Sequence, residues 1–222
     1  MGKFVFALAL CVWTAACTAS QPRHLLVAHR LERPSEPGLS GVEWRKVAGE
    51  SSDYWLWVGW NETQLRIGVK IKREDLSEGD YFNLCLDFDN QSAFSYEIDD
   101  YQFAISQPDE SGELAMSLSR TGGAPIEPDE AIRGRGEYSS GDCEIELIVD
   151  VLKLSGGRLA EGEDLGMMLE LKQNPGPNLL PIHWGDVILG DKKGDVAPEI
   201  LERMRRHQTQ QAERFGIHQS DP

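Results

Sequence analysis

Basic residues are too few in this chain to balance its acids: 22 Lys and Arg stand against 37 Asp and Glu, a formal charge of -15. A field of that sign repels phosphate backbones and anionic headgroups, so nucleic acid and polybasic membrane attachment are excluded as binding modes. Cysteine is scarce too, with four in 222 residues. Cys11 and Cys17 fall in a leader, which rules out a disulfide-stapled mini-scaffold and leaves at most one bridge, Cys85–Cys143, for the body. No apolar run approaches the roughly 20 residues of a membrane helix. Signatures of a nucleophile elbow, a phosphate loop, a zinc helix or a C-x-x-C pair are missing. Helical periodicity is absent until residues 198–215, where Ile200, Leu201, Met204 and Phe215 form a weak stripe among charges.

What is present begins with an export signal: Lys3, an apolar stretch from Phe4 to Trp13, and the small residues Thr14-Ala15-Ala16. Because these run straight into Cys17, the segment resembles a bacterial lipoprotein box. That resemblance implies lipidation of Cys17 and a membrane-anchored protein of the cell envelope. A conventional cut nearby would release a soluble secreted protein instead. The chain then divides into residues 1–16 (signal), 17–37 (a tether in which Leu25-Leu26-Val27-Ala28 can supply a first edge strand), 38–190 (one globular body) and 191–222 (a helical tail).

The body is a succession of short strand patterns parted by turn residues. Residues 65–72 alternate cleanly, with Leu65, Ile67, Val69 and Ile71 on one face and Arg66, Lys70 and Lys72 on the other. With residues 53–60 they flank the tetrad Asn61–Gln64 and read as a hairpin with one buried face. Further strands are predicted at 81–89, 100–106, 113–119, 143–151, 164–172 and 186–189. Residues 121–138, rich in Gly and Pro, read as a surface loop. The sum is an all-β, antiparallel β-sandwich with jelly-roll or immunoglobulin-like layers and a short C-terminal helix.

In that order and spacing, the Trp44 entry strand, the GWNETQLRIGVKIKRED hairpin, NLCLDFDN, DDYQFAIS, CEIELIVDVLKL and IHWGDVILG resemble the family 9 carbohydrate-binding module, over about Gly38 to Gly190. The resemblance implies binding of an oligosaccharide or polysaccharide without turnover, with structural calcium in several members. A non-enzymatic protein is therefore expected. The alternatives are an envelope protein that docks a second envelope protein through the same sandwich and, less favoured, a glycoside hydrolase.

A sugar ring offers an apolar C–H face to an indole, so the aromatic side chains carry the ligand reading. Tyr54, Trp55, Trp57 and Trp184 are the candidates. Strand parity puts Leu56, Val58 and Trp60 toward the core and Trp55 with Trp57 on the opposite face, where two rings two residues apart would make a platform unless that face is covered. Trp44 and Trp60 read as core. The acids Asp87, Asp89, Asp99 and Asp100, near Asn90 and Glu97, lie at one strand's end and the next strand's start. They are either ligands of a Ca2+ cofactor or solvated turn residues. An oxidising compartment would permit the Cys85–Cys143 bridge, whereas alternation sends Cys85 away from the core face that Cys143 shares with Ile145, Leu147 and Val149. Met167 and Met168 point to opposite faces, which favours packing over haem ligation.

Overall fold

A computed structural model describes residues 24–32, 42–48, 53–90, 101–120, 125–126, 131–172 and 183–214. Cys17, Asp99, Asp100, Glu97 and the leader lie outside the described residues. The strands are β1 (His24–Arg30), β2 (Arg45–Ala48), β3 (Asp53–Trp60), β4 (Gln64–Lys72), β5 (Tyr81–Asp87), β6 (Tyr101–Ser106), β7 (Met116–Arg120), β8 (Pro125–Ile126), β9 (Ile132–Ser139), β10 (Asp142–Asp150), β11 (Asp164–Lys172) and β12 (His183–Leu189). Two α-helices, α1 (Val151–Ser155) and α2 (Pro198–Arg214), and a single 3-10 turn at Arg73–Asp75 complete the described elements. Among the described residues no helix is long and apolar enough to cross a membrane.

The strands form one curled sheet folded into two layers, in the order β8-β7-β6-β5-β11-β12-β1-β3-β4-β10-β9, with β2 also on β3. All pairs are antiparallel except those of β1, which runs parallel to both its neighbours. Residues His24 to Ala28 pair with β12 in the first layer, and His29 and Arg30 pair with β3 in the second. The expected edge strand is therefore an interior one that crosses the corner between layers. Its small, buried Ala28 lets the Gly190 backbone close in, and the Gly190 N–H donates to the Ala28 carbonyl at 2.9 Å. Trp60, fully buried as expected, donates its indole N–H to the Gly190 carbonyl at 2.9 Å and ties β3 to the end of β12.

Period-two alternation explains the core. Leu65, Ile67, Val69 and Ile71 are buried from the second layer, facing Leu84, Leu86, Phe103, Ile105, Leu165 and Leu171 from the first. Tyr54, Val69 and Ile71 meet Phe82, Leu169 and Leu171 around a void of only about 10 Å³. Burying each such aliphatic side chain contributes about 1.5–3 kcal/mol. The hairpin tetrad works as expected, because Asn61 Oδ1 accepts from the Thr63 and Gln64 N–H groups at 3.0 and 2.9 Å.

The segment expected to be a loop at 121–138 is corrected in part. Residues 132–139 form β9, which pairs along the length of β10 through a two-residue turn at Ser140 (φ 49°) and Gly141 (φ 86°). Its glycines are packing devices. A Cβ on Gly134 would lie 2.9 Å from Leu114 and 3.0 Å from Leu147, and one on Gly136 would lie 2.9 Å from Pro108. The absent side chains let the far edges of the two layers close on each other, and glycine that looks like a loop signal in sequence serves here as strand.

Candidate functional site

The outer face of the second layer holds the tryptophans singled out in the sequence, and it is already occupied by the protein's own charges. Trp57 is 8% exposed and lies flat along β3 over Gly59, whose hypothetical Cβ would sit 2.5 Å from the indole Cη2. The Arg66 guanidinium lies 5.7 Å from its ring centroid. Arg66 in turn pairs with Glu146; the two side chains are 4% and 3% exposed, and Arg135 adds a second contact to Glu146 at 3.2 Å. Removing one member of a buried pair strands the other, so this row is structural.

Half-buried Trp55 has the Lys72 ammonium 5.6 Å from its ring. Trp44 is not core as expected: it is half-buried, with Lys70 at 5.9 Å, because it precedes β2 and is not part of a paired strand. Lys72 bonds Asp142 at 2.6 Å and Lys70 bonds Glu144 at 2.9 Å. These contacts hold the Asp142 carboxyl below its usual range, chiefly through the Lys72 hydrogen bond, and raise Lys70, chiefly through Glu144. Tyr54, a ligand candidate from sequence, is 4% exposed and belongs to the core, since it shares parity with Leu56 and Val58. Burial raises its phenol well above the ordinary value. Where β1 parts from β3, Trp44 and Trp57 line a groove of about 400 Å³ with His29, Glu43 and Arg45, but the Trp57 ring faces are taken by Gly59 and Arg66.

Of the metal candidates, Asp87 and Asp89 are described, and Asp99 and Asp100 lie outside the described residues. Asp87 is buried and its Oδ1 accepts from the Asp89 and Asn90 N–H groups at 3.2 and 2.7 Å, a turn that closes the end of β5, while Asp89 is exposed. Among the described residues, no group of three or more His, Cys, Asp and Glu side chains is arranged to hold a metal ion. The Cys85–Cys143 bridge is absent. Both are buried and neither is in a disulfide: Cys143 lies in the inter-layer core and Cys85 on the opposite side of its own strand from Leu84 and Leu86. Burial pushes the Cys143 thiol up to about 12. Met167 packs in the core, and Met168 is buried outside that cluster.

The outer face of the first layer is different in kind. Leu84, Phe103 and Leu169 point inward, so Asn83, Cys85, Gln102, Met168, Glu170 and Lys172 belong to the outer face. Register aligns Glu170 with Asn83, and Met168 with Cys85 and then Gln102. A chain of polar contacts crosses three strands: Gln102 Nε2 donates to Asn83 Oδ1 at 3.0 Å, Asn83 Nδ2 donates to Glu170 Oε2 at 2.7 Å, and Lys172 Nζ approaches the same oxygen at 2.5 Å. Asn83 and Glu170 are 2% and 6% exposed, whereas Gln102 and Lys172 are half-buried. Planar amides that offer a donor and an acceptor side by side, with a carboxylate neutralised by a lysine, suit hydroxyl groups of an uncharged ligand. Trp184 on β12 is the register partner of Met168, one row from this chain; its side chain lies outside the described residues.

Sequence reasoning passed over Asn83, Gln102 and Glu170. The one available signal was that all three sit at outward positions of strands without being turn residues. The backbone that carries them has solved counterparts. The structure superposes on a family 9 carbohydrate-binding module from Caldicellulosiruptor kristjanssonii in complex with glucose, at a TM-score of 0.53 and 12% identity, covering 78% of this chain and 100% of that one. It superposes equally on the same kind of module in complex with cellotriose, at 0.53 and 13% identity, covering 79% and 98%. The fold is that of a family 9 carbohydrate-binding module. No family model matches the sequence, and no curated protein matches it. At such identity the shared module fold carries the backbone alone, and the site rests on the side chains described above.

Proposed function

We propose that this protein binds a neutral saccharide, without transforming it, on the outer face of the first layer. The observation that carries the reading is the Gln102–Asn83–Glu170–Lys172 chain of polar side chains assembled across β6, β5 and β11. Support comes from the module fold, whose two solved counterparts hold glucose and cellotriose. In this reading the half-buried Gln102 and Lys172 meet hydroxyl groups, the buried Asn83 and Glu170 hold them in place, and Trp184 is the stacking ring. Hydrolysis would require a second carboxyl about 5–9.5 Å across the bond from the first, and Glu170 is already tied to Asn83 and Lys172. The leader makes the protein an envelope lipoprotein anchored at Cys17; a Cys17→Ser variant would lose acyl labelling and leave the membrane fraction.

Calorimetry with cellotriose tests the site. Asn83→Ala and Glu170→Gln each remove a polar partner and should weaken binding about tenfold, equivalent to about 1.4 kcal/mol. Trp55→Ala should bind like the wild type. An Asn83→Ala variant with native circular dichroism and undiminished affinity would dispose of the proposal.

A further inference from the structure

Tyr81 opens β5 on the same face as the polar chain. It alternates with Phe82 and Leu84 of the core, so it shares the outward side of the strand with Asn83 and Cys85. Its side chain is half-buried, yet it stays outside the inter-layer core that takes in Tyr54 and Tyr101. Among the described residues, the Phe, Tyr and Trp residues at outward strand positions of the first layer are Tyr81 and Trp184.

The turn that delivers Tyr81 is pinned. Asp80 Oδ2 accepts from the Ser77 N–H at 2.8 Å, and Gln107 Nε2, just past β6, donates to the Ser77 carbonyl at 2.5 Å and to the Asp80 carbonyl at 3.3 Å. A ring on a fixed backbone meets a ligand at little cost in ordering.

Register gives the two aromatic residues a definite relation. Met168, Glu170 and Lys172 face outward in succession on β11. Trp184 pairs with Met168 from the β12 side, and Tyr81 pairs with Lys172 from the β5 side. A line from Trp184 to Tyr81 therefore crosses β11 at Glu170. Four residues along a strand advance about 13 Å and two strand spacings add about 10 Å sideways, which puts the two backbones about 16 Å apart. Lys172 lies back along this line, with Nζ 2.5 Å from Glu170 Oε2, and the other N–H groups of its ammonium are donors for a ligand.

We infer that Tyr81 is a second stacking ring of the saccharide site, and that the ligand is a linear, extended oligosaccharide of about three or more sugar units laid obliquely across β12, β11 and β5. This rests on the saccharide-binding reading above. Trp184 and Tyr81 each take the apolar C–H face of one pyranose, and the unit between them meets Lys172. A monosaccharide, or a compactly branched glycan, reaches only one of the rings.

The test is calorimetry on the full chain with cellobiose and cellotriose, for wild type, Tyr81→Ala and Tyr81→Phe, each shown to be folded by circular dichroism and a urea midpoint. Tyr81→Leu, which keeps bulk without a ring, replaces the alanine variant if that one unfolds. Wild type should bind cellotriose about tenfold tighter than cellobiose, the gain from one more stacked sugar. Tyr81→Phe should keep that ratio, and Tyr81→Ala should bring the two affinities level. A purely structural role for Tyr81 would move both affinities together and leave the ratio intact. A folded Tyr81→Ala with the wild-type ratio, or a Tyr81→Phe as impaired as Tyr81→Ala, overturns the stacking role and leaves the saccharide site standing. Equal affinities in the wild type overturn the three-unit ligand in the same way. A folded wild type that binds neither sugar overturns the saccharide reading and this inference with it.

Discussion

Replacing Trp57 with alanine separates a ligand platform from a structural indole, because the two roles move different observables. Trp57 is 8% exposed, lies on the Gly59 backbone and carries Arg66 above it. A tryptophan buries about 150–250 Å², which at about 25 cal/mol per Å² corresponds to roughly 4–6 kcal/mol. Measured Trp→Ala losses in packed sites run to about 3–5 kcal/mol. The lost cation–π contact is of order 0.5–2 kcal/mol and falls within that range. We therefore expect Trp57→Ala to be about 3–5 kcal/mol less stable in urea, with a melting temperature lower by about 6–20 °C for a chain of this size. Cellotriose affinity, measured where the variant is folded, should stay within about twofold of wild type, since the ring is a layer away from Asn83 and Glu170. A variant that keeps its urea midpoint but loses saccharide binding would refute this assignment and restore the platform read from the sequence.

Two further outcomes follow from the charges and thiols. The Asp142 carboxyl is held below its ordinary value by Lys72 and then Lys70, so its folded pKa lies under its unfolded one. Its contribution is present above the ordinary aspartate value near 4 and is lost as pH falls through the depressed folded value. Urea midpoints of Asp142→Asn should accordingly fall less steeply between about pH 4 and pH 2 than those of wild type, and parallel curves would contradict the assignment. Cys85 and Cys143 are buried and unbridged, with Cys143 pushed up to about 12. A thiol reagent at pH 8 should label neither until denaturant is added, when both should react; prompt labelling of the native protein would show that the core is more open than described.

Legibility in the sequence followed the range of the forces involved. Alternation along β4 and the turn chemistry of Asn61 are local, so the strand, its buried face and the hairpin were readable from eight or nine adjacent letters. Strand β9 was not, because Gly134 and Gly136 carry a loop composition. What makes them strand is Leu114, Leu147 and Pro108 arriving from elsewhere in the chain. Tyr54 is a simpler case: its parity with Leu56 and Val58 points inward, and its position follows that parity rather than its aromatic character.

The chain's letters by themselves determined a two-layer β protein, its charge, its buried strand faces and the two orientations of its cysteines, because period-two patterning and net charge depend on neighbours in sequence. Only the tertiary structure decided which outward side chains are committed and which can meet a ligand. Arg66 and Gly59 claim Trp57 through cross-strand register and a missing Cβ. Asn83 meets Gln102 and Glu170 across separations of 19 and 87 residues. Strand register is set by the packing of the whole sheet, and that is where the site was made.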